Sequence, residues 1–375
     1  MADFEKFIPE HIRALTSYTP GKPLRQAKNE SGVECIKMAS NENPFGPSPR
    51  ALEAMRSAAA QANFYPDMEI SQLRQELARR YQLDPQQVLV TAGSTQLLDL
   101  IARTLLTPER DAVSSERSFI VYALVTHSAG GKYVEAPMRN DGFDLEAIAA
   151  AVTADTRVIY LANPNNPTGT MFDADAADRL LSRIPGHVLV VLDEAYCDFA
   201  EAFARQRGLT YSRSLDLVRE RRNIIVLRTF SKAHGLAGVR IGYGLGPPEL
   251  LRHLARVRPA FSVSGVAEAA ALAALEDVDH IRKTVENNTV QAPELVRSLS
   301  AMGLHTVQTS ASFVYFDVGD DASEVARRIQ AEGVIVRPLT AWGAPTAIRV
   351  TVGTAAQNQR FLAALRNATD RAAVR

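Results

Sequence analysis

The sequence predicts an α/β fold: a large domain with a mainly parallel sheet flanked by helices, followed by a smaller α+β domain. Short apolar runs recur along the chain, and an amphipathic helical stretch follows several of them. Two of these runs, residues 188–192 and 224–227, have no polar face, as expected of strands buried on both sides of a parallel sheet. After about residue 265 a long helical region precedes shorter strands and helices, which predicts the second domain.

Taken in order, the elements begin with a short helix at 10–16 and an irregular segment at 18–23. Strands of the large sheet are predicted at 88–91, 157–161, 188–192 and 224–227, and helices of this part through 97–105 and around 174–184. A helical region at 267–302 is expected to be interrupted near Pro293, because proline removes a helical hydrogen bond. The smaller domain is then predicted to contain strands at 312–318, 334–337 and 347–352 and helices at 322–332 and 355–366. We therefore expect an arm over residues 1–40 that packs on the small domain or on a partner, a large domain over 41–265 and a small domain over 266–375.

The composition excludes several classes of protein. The chain has 375 residues, and its 42 Lys and Arg side chains balance 42 Asp and Glu side chains, which argues against a nucleic-acid binder and against a polybasic membrane-surface protein. No stretch approaches the roughly 20 apolar residues of a membrane-spanning helix, and the N-terminus lacks the pattern of a secretory signal. Two cysteines, Cys35 and Cys197, are too few for a disulfide framework or a four-thiolate zinc site. We expect a cytoplasmic protein without nucleic-acid or membrane partners.

The most informative segment is residues 229–240, Thr-Phe-Ser-Lys-Ala-His-Gly-Leu-Ala-Gly-Val-Arg. It directly follows a predicted buried strand, so Lys232 lies at the strand's carboxyl end, where open α/β sheets bind ligands. Small and apolar neighbours together with Arg240 favour a lowered pKa of the Lys232 amine and a nucleophilic role. Ser231 and Arg240 together suit a phosphate group. The alternative is an ordinary solvated lysine in a surface loop.

Two further segments also follow predicted strands. Asp193 ends an apolar strand, where a carboxylate is costly without a positive partner such as a protonated pyridine nitrogen. The alternative for Asp193 is a cap of the next helix. Residues 163–169, Asn-Pro-Asn-Asn-Pro-Thr-Gly, hold the Asn165 and Asn166 amides in a fixed direction, although a plain turn has the same pattern.

Residues 91–96, Thr-Ala-Gly-Ser-Thr-Gln, form a strand–glycine–helix junction. The free N–H groups and the dipole at the helix start suit a phosphate, although simple N-capping explains the same residues. The seven histidines show no metal-ligand spacing, and no Gly-x-Ser-x-Gly elbow is present. No metal and no serine hydrolase is therefore predicted.

Together these segments resemble the fold-type I pyridoxal-phosphate enzymes and, within them, the histidinol-phosphate aminotransferase family. The similarity runs in the family's order from residues 18–23, Tyr-Thr-Pro-Gly-Lys-Pro, through 40–46, Ser-Asn-Glu-Asn-Pro-Phe-Gly, and 65–67, Tyr-Pro-Asp, to 348–353, Ile-Arg-Val-Thr-Val-Gly. It covers nearly the whole chain. The resemblance implies a fold-type I transferase with pyridoxal 5'-phosphate as cofactor and a homodimer with shared active sites.

The resemblance also implies a role for each matching residue. Lys232 is the expected Schiff-base lysine, Asp193 is expected to pair with the pyridine nitrogen, and Asn166 and Tyr196 are expected to contact the 3-hydroxyl of the ring. Lys232, Asp193 and Tyr196 form the implied catalytic set. The other implied cofactor-binding residues are Gly93, Ser94, Thr95, Phe119, Ser231, Arg240 and, from the neighbouring subunit, Tyr65. The implied substrate-binding residues are Tyr18, Asn43, Arg337 and Arg349.

Two departures from the family pattern concern the cofactor contacts. Residues 116–119 read Glu-Arg-Ser-Phe where Pro-Thr-Tyr is usual, so Phe119 is expected to stack on the cofactor without offering a phenol. Thr95 and Gln96 replace an acidic pair. Backbone contacts to the phosphate are expected to survive both changes.

The resemblance implies an aminotransferase of histidine biosynthesis that uses L-histidinol phosphate and 2-oxoglutarate. Arg349 is expected to bind the α-carboxylate of glutamate, and Arg337 with Tyr18 the distal anion. From the residues alone, the alternative for both arginines is a surface charge. Three alternatives stay open. An aromatic or broad-specificity amino-acid aminotransferase fits the aromatic wall offered by Trp342, and a phosphothreonine-type decarboxylase keeps the same lysine and aspartate. The third alternative is a non-catalytic cofactor-binding module.

Overall fold

The computed structural model describes residues 4–17, 32, 34–220 and 222–373. Within them the strands are β1 (Ile36–Lys37), β2 (Val88–Thr91), β3 (Asp111–Ser115), β4 (Lys132–Ala136), β5 (Met138–Arg139), β6 (Gly142–Phe143), β7 (Thr156–Ala162), β8 (Leu189–Asp193), β9 (Ile224–Thr229), β10 (Gly242–Leu245), β11 (His305–Thr306), β12 (Phe313–Asp317), β13 (Val334–Ile335), β14 (Arg337–Leu339) and β15 (Ala344–Thr351). The α-helices are α1 (Glu10–Arg13), α2 (Pro49–Ala59), α3 (Ser71–Tyr81), α4 (Ser94–Leu105), α5 (Val121–Ser128), α6 (Leu145–Ala150), α7 (Ala174–Leu181), α8 (Cys197–Gln206), α9 (Ser214–Arg219), α10 (Pro248–Val257), α11 (Gly265–Glu276), α12 (Val278–Ala301), α13 (Ala322–Ala331) and α14 (Ala355–Ala373).

The large sheet has the strand order β2-β10-β9-β8-β7-β3-β4. The pairs from β9 to β4 are parallel, and β10 is antiparallel to both of its neighbours. Every residue of β2, β8 and β9 is buried, which explains their runs of Val, Leu and Ile. The mainly parallel sheet predicted from the sequence is confirmed.

Helices cover both faces of this sheet. Because side chains alternate along a strand, Val190 packs with α3 and α11 on one face, while its neighbour Val191 packs with α4 and α10 on the other. The helices present matching apolar faces to the strands, for example Leu97 and Ile101 of α4, both fully buried. The sheet thus forms the middle layer of three.

The carboxyl ends of β7, β8 and β9 lie side by side at one edge, since these strands are parallel neighbours. Residues 163–169 follow β7, Asp193 ends β8, and residues 230–240 follow β9. Gly242 pairs with both Thr91 and Thr229, which brings the start of α4 to the same edge. The four segments singled out in the sequence therefore meet at one place.

The smaller sheet is antiparallel, with the order β11-β12-β15-β14. Val314, Phe316, Ile348 and Val350 form its apolar core with helices α12, α13 and α14. The alternate positions, among them Arg349, lie on the opposite face. Strand β1 pairs with β13, so the segment before the large domain is attached to the smaller one.

The predicted helical break lies elsewhere in the structure. The region predicted as 267–302 is interrupted at Asp277, whereas Pro293 lies inside α12. Asp277 has non-helical dihedral angles (φ −88°, ψ 65°) and its side chain caps the following helix, as aspartate often does. Beside the proline, Ala292 and Leu295 are buried, and we attribute the continuity of α12 to this packing. The prediction of a break near Pro293 was wrong.

Several other bounds also differ from prediction. Helix α1 ends at residue 13 rather than 16, and α14 continues to residue 373 rather than ending at 366. The strand predicted at 334–337 is split at Val336, because its halves pair with different partners, β1 and β15. None of the helices in the described ranges combines the length and the apolar character needed to cross a bilayer.

The division of the chain at residue 265 stays a prediction. In the structure four alanines of α11, Ala267, Ala270, Ala271 and Ala274, pack in the core of the large sheet. Leu295 and Leu299 of α12 instead pack in the core of the small sheet. A division by packing therefore falls at Asp277.

Candidate active site

A cleft at the carboxyl edge of the large sheet brings the four segments together. The predicted residues that line it are Ser94, Thr95, Phe119, Asn166, Asp193, Tyr196, Ser231, Lys232 and Arg240. The other lining residues are Tyr122, Ala162, Pro164, Ala195, Thr229 and Ala237. Across the described ranges, no group of three or more His, Cys, Asp or Glu side chains is arranged to hold a metal ion.

Lys232 lies half-buried in the loop after β9. Its Nζ donates a hydrogen bond to the Ser40 carbonyl oxygen at 3.2 Å and lies 5.5 Å from the centre of the Tyr196 ring. Burial lowers the pKa of the Lys232 amine to about 8, and the guanidinium groups of Arg349 and Arg240 act in the same direction. A larger neutral fraction near pH 8 suits the amine to nucleophilic attack. The alternative of an ordinary solvated lysine is wrong.

Asp193 is 5% exposed at the end of β8. Its Oδ2 accepts a hydrogen bond from Tyr122 Oη at 3.0 Å, and its Oδ1 accepts one from the Ala195 N–H at 3.2 Å. Burial raises the pKa of Asp193 to about 6, against the opposing effect of these hydrogen bonds. A buried carboxyl of this kind gains most from a cationic partner within the cleft. Helix α8 begins only at Cys197 and has no side-chain cap, so the capping alternative is wrong.

Tyr122 is a site residue that the sequence did not reveal. Its ring stacks nearly parallel on Tyr160, with centroids 4.8 Å apart, and meets Phe119 edge-on at 5.6 Å. These contacts hold the phenol that donates to Asp193 in one orientation. No motif marks the position, because Tyr122 sits among apolar residues at the start of an ordinary helix.

Asn166 and Tyr196 lie on the same cleft, each held by a partner from another part of the chain. Tyr196 Oη accepts a hydrogen bond from Asn41 Nδ2 at 2.7 Å. Asn166 Oδ1 accepts one from Arg349 Nη1, while Arg349 Nη2 donates to the Ala39 carbonyl oxygen at 2.9 Å. Arg349 is 5% exposed, so the alternative of a surface charge is wrong for this residue.

Hydrogen-bond donors gather at the start of α4. Gly93 is the N-cap, with φ 79°, and no side chain caps the helix, so the N-capping alternative is wrong and the helix start suits an anion. Arg240 Nη1 lies 3.4 Å from Ser231 Oγ. A Cβ at position 93 would stand 2.5 Å from Arg240 Nη2, so glycine is what lets the guanidinium approach the helix start. The N–H groups at the start of α4, the Arg240 guanidinium and the Ser231 hydroxyl therefore lie on the same side of the cleft.

Gln96 is one of the departures from the family pattern, and its side chain forms hydrogen bonds that hold the loop before α4. Its Oε1 accepts a hydrogen bond from the Ala92 N–H at 2.8 Å and another from Ser262 Oγ at 3.2 Å. The side chain therefore ties the loop before α4 to a distant segment instead of entering the cleft.

Arg337 opens on a second cavity. It pairs directly with Arg349 across β14 and β15, so both side chains are on the same face of the small sheet. Arg337 is 9% exposed, and its guanidinium lies 4.9 Å from the centre of the Trp342 ring. The surface-charge alternative is therefore wrong here as well. The residues that line this cavity with Arg337 include His11, Leu15, Ile120, Leu124 and His127.

Two predicted substrate-binding residues are not placed in these cavities. The Asn43 amide donates to the Ala233 carbonyl oxygen at 2.8 Å and to Thr284 Oγ1 at 3.0 Å. Asn43 therefore joins its own loop to the loop after β9 and to α12, and it shares a small cavity with Lys232. Asn41 contacts the site through Tyr196. Tyr18 lies outside the described residues.

Tyr65 lies on the surface and is not among the residues lining the cleft of its own subunit. It is 83% exposed and stacks on Phe261, with ring centroids 4.7 Å apart. Phe64, Met68 and Leu52 are further exposed apolar residues of the same region. An apolar patch of this kind marks a contact surface.

Comparisons with known proteins agree with this geometry. The chain matches the family model of aminotransferases class I and II over residues 33–365. It is 42% identical over 368 residues to histidinol-phosphate aminotransferase 2 of Pseudomonas aeruginosa, covering 97% of this chain and 98% of that protein. It is 41% identical over 358 residues to histidinol-phosphate aminotransferase of Moorella thermoacetica, covering 95% and 92%. The crystal structure of histidinol-phosphate aminotransferase from Sinorhizobium meliloti in complex with pyridoxal-5'-phosphate superposes with a TM-score of 0.86 at 30% identity, covering 97% of this chain and 98% of that one.

Proposed function

The chain belongs to the class I and II aminotransferases, and from this premise we propose that it transfers the amino group between L-histidinol phosphate and 2-oxoglutarate, with pyridoxal 5'-phosphate as cofactor. The observation that carries the proposal is one cleft that holds a lysine of lowered pKa and an aspartate of raised pKa beside an anion-binding helix start. Relatives named for this reaction match nearly the whole chain. We also propose that the reaction takes place in the cytoplasm, because a chain with two cysteines is too poor in cysteine for the disulfide framework of a small secreted protein.

The residues of the cleft fit the cofactor. The N–H groups at the start of α4, with Ser231 and Arg240, offer the donors that a phosphate needs. Asp193 offers the buried carboxylate that a protonated pyridine nitrogen would pair with. Asn166 and Tyr196 are proposed to bind the 3-hydroxyl, and Phe119 supplies an aromatic ring at the wall of the cleft.

In this mechanism the bound cofactor supplies an electron sink for the bond to the Cα proton. Asp193 holds the proton on the pyridine nitrogen, which keeps the sink effective. The Lys232 amine would move the proton between the substrate Cα and the C4′ atom of the cofactor as general base and acid. A pKa of about 8 lets the same amine accept and release this proton near neutral pH.

Substrate recognition has to accommodate two different anions. Glutamate carries two carboxylates, whereas histidinol phosphate carries a phosphate and no carboxylate. Arg349 stands beside Asn166 at the cofactor cleft and is proposed to bind the α-carboxylate of glutamate. Arg337, its neighbour across the strands, faces the second cavity and is proposed to meet the distal anion, together with Tyr18.

Arg349→Ala and Arg337→Ala are expected to separate the two half-reactions. Arg349→Ala should lower kcat/KM for glutamate far more than for histidinol phosphate, because only glutamate offers an α-carboxylate. Arg337→Ala should lower both values. A charged hydrogen bond is worth roughly 1.5–3 kcal/mol, so each affected kcat/KM should fall about ten- to a hundred-fold. Stopped-flow absorbance of the bound cofactor measures each half-reaction by itself.

The controls for these variants separate the competing functions. Arg337→Lys keeps the charge and should lose less activity than Arg337→Ala. Phenylalanine and tyrosine carry no distal anion, so their turnover should be spared in Arg337→Ala. Unchanged turnover of histidinol phosphate in Arg337→Ala, together with a wild-type preference for phenylalanine or tyrosine, would establish the aromatic aminotransferase instead. Release of carbon dioxide from a phosphorylated amino acid would point to the decarboxylase.

We also propose that the active unit is a homodimer in which Tyr65 contacts the cofactor phosphate of the partner. The exposed Tyr65 side chain and the apolar residues around it support this arrangement, because a second copy would bury the patch. The residues of one chain supply the rest of the phosphate site.

Mixing two defective variants tests the shared site. Lys232→Ala is expected to be inactive, and Tyr65→Phe to bind the cofactor more weakly because the phenol hydroxyl is lost. After exchange of subunits, each hybrid dimer should contain one site with both wild-type residues, so cofactor affinity and activity should recover toward wild type at about half of the Lys232-bearing sites. If Tyr65 acted within its own subunit, every site that retains Lys232 would keep the Tyr65 defect, and mixing would restore nothing.

A further inference from the structure

A buried ion pair lies directly behind the Asp193 carboxyl. Glu194 is 2% exposed and Arg228 is 8% exposed. Arg228 Nη2 and Nε donate to Glu194 Oε2 at 2.7 and 3.0 Å, and Ser212 Oγ donates to Glu194 Oε1 at 2.7 Å. Neither charged residue is among those lining the cleft, and no step of the proposed reaction uses them.

The pair connects the two strand ends that carry the reactive groups. Glu194 directly follows Asp193, and Arg228 lies four positions before Lys232. Strands β8 and β9 are neighbours, and the Glu194 N–H donates to the Leu227 carbonyl oxygen at 2.9 Å. The side-chain pair therefore joins the end of the Asp193 strand to the start of the Lys232 loop by a second connection beside the backbone.

Arg228 is held from its other side by an aromatic pair. Its guanidinium lies 5.2 Å from the centre of the Tyr81 ring, and Tyr81 Oη lies 2.6 Å from Tyr243 Oη. Replacement of a buried ion pair by well-packed apolar residues is often neutral or stabilising. A gain in stability therefore does not explain why two charged residues are buried here. Their position next to Asp193 explains it.

We propose that Glu194 and Arg228 are positioning residues that keep the Asp193 carboxylate aimed into the cleft and cancel the Glu194 charge beside it. The inference rests on the proposed role of Asp193 and extends it. The groups that interact electrostatically with Asp193 are Tyr122, Lys232 and Tyr196, in addition to Glu194. Among these, the Glu194 carboxylate raises the pKa of Asp193, so its neutralisation by Arg228 favours the ionised aspartate.

Two substitutions test whether the charges of Glu194 and Arg228 act on Asp193. The test is the direction in which each substitution shifts the pKa of Asp193. Glu194→Gln leaves the Arg228 guanidinium, which keeps its charge in proteins, and should lower the pKa of Asp193 by about one unit. Arg228→Met leaves the Glu194 carboxylate and should not lower the pKa of Asp193. The double variant, which buries no unpaired charge, should return close to the wild-type value. The readout is ¹³C NMR of the full-length chain labelled at aspartate Cγ, with the Asp193 signal assigned by its loss in Asp193→Asn.

The holoenzyme provides a second readout. Protonation of Asp193 weakens its contact with the ring nitrogen, so cofactor affinity should fall at acid pH. The midpoint of this fall should move in each variant in the same direction as the pKa of Asp193 measured by NMR. Both readouts are taken without any amino donor. A failure of the substrate proposal therefore leaves them unaffected.

Arg258→Met is the matched control. Arg258 is also buried, but it donates to the carbonyl oxygens of Val90 and Met68 and to Glu69 Oε1 at 3.4 Å, and its loss should not move the pKa of Asp193. The proposal is overturned if Glu194→Gln leaves that pKa unchanged, if both single variants shift it in the same direction, or if Arg258→Met shifts it equally. Should Arg228→Met fail to fold, Arg228→Gln, which also removes the charge, replaces it with the same expectation.

Discussion

Lys232→Ala is expected to abolish turnover, lowering kcat by more than about 10⁴-fold, because it removes both the group that holds the cofactor and the group that moves the proton. Of the residues lining the cleft, Lys232 is the one that offers an amine. The protein should stay folded, since the hydrogen bond lost is the 3.2 Å contact with the Ser40 carbonyl oxygen. Steady-state assays, circular dichroism and size-exclusion chromatography measure these outcomes.

Borohydride reduction followed by peptide mapping identifies the lysine directly. Reduction should fix the cofactor covalently to Lys232 in the wild-type protein. Lys132→Ala, at an exposed lysine of β4, is the control and should keep full activity. A cofactor fixed to another lysine, or a Lys232→Ala variant that turns over normally, would refute the assignment.

The pH dependence of cofactor capture follows from the same amine. Only the neutral amine attacks, and burial lowers its pKa to about 8 from 10.5. A lowered amine pKa means that the proton leaves at lower pH, so the capture rate of cofactor-free protein should rise with pH and level off above about 8. Arg349→Ala removes one of the two guanidinium groups that lower this pKa, so the midpoint of the capture rate against pH should lie at higher pH in this variant. Stopped-flow absorbance across pH 6–10 gives both midpoints, and a wild-type midpoint near that of free lysine would contradict the account.

Asp193→Asn is the second large effect. An amide cannot keep the ring nitrogen protonated, so the electron sink is lost and the proton transfer should slow by about 10³-fold. Cofactor binding through the phosphate corner should persist, because Ser231, Arg240 and the start of α4 are untouched. Single-turnover kinetics measure the step directly. A rate within tenfold of wild type would show that Asp193 has no part in activating the ring.

The same substitution has the opposite effect on stability without cofactor. Burial raises the pKa of Asp193 to about 6 from 3.8, so the folded protein holds the carboxyl proton more tightly than the unfolded chain does. Stability is therefore lost as pH rises from about 4 to about 6, by roughly 3 kcal/mol for such a shift. Cofactor-free Asp193→Asn should be more stable than cofactor-free wild type at pH 8, with a smaller difference at pH 5. Urea unfolding at the two pH values measures this difference in the free energy of unfolding. It also checks that Asp193→Asn loses activity while it remains folded.

Much of the fold was predictable because its signals are local. The apolar runs at 188–192 and 224–227 have no polar side and are short and rich in Val and Ile, which is typical of strands buried on both faces, as β8 and β9 are. The carboxyl ends of parallel neighbours must meet at one edge, which is why Lys232 and Asp193 could be placed together. The break of the long helix was misplaced, because the sequence rule for Pro293 ignores the tertiary packing that holds α12.

The parts of the site that sequence reasoning missed depend on long-range contacts. Tyr122 lies in α5, which follows β3, and it reaches Asp193, 71 positions later at the end of β8, only because β3 and β8 are both neighbours of β7 in the sheet. Asn41 touches Tyr196, a residue 155 positions away, and nothing near Asn41 distinguishes it from Asn43. Positions of this kind carry no local periodicity or motif, so only the folded chain reveals them.

The central claim is most directly tested by mixing the wild-type holoenzyme with L-histidinol phosphate in the absence of 2-oxoglutarate and following the cofactor absorbance. The account predicts conversion of one equivalent of donor per site to the corresponding ketone, followed by one equivalent of glutamate when 2-oxoglutarate is added. The kcat/KM for histidinol phosphate should exceed that for phenylalanine and tyrosine by at least about tenfold, the discrimination expected of one additional charged contact. A preference for the aromatic amino acids, or no spectral change with histidinol phosphate, would contradict it.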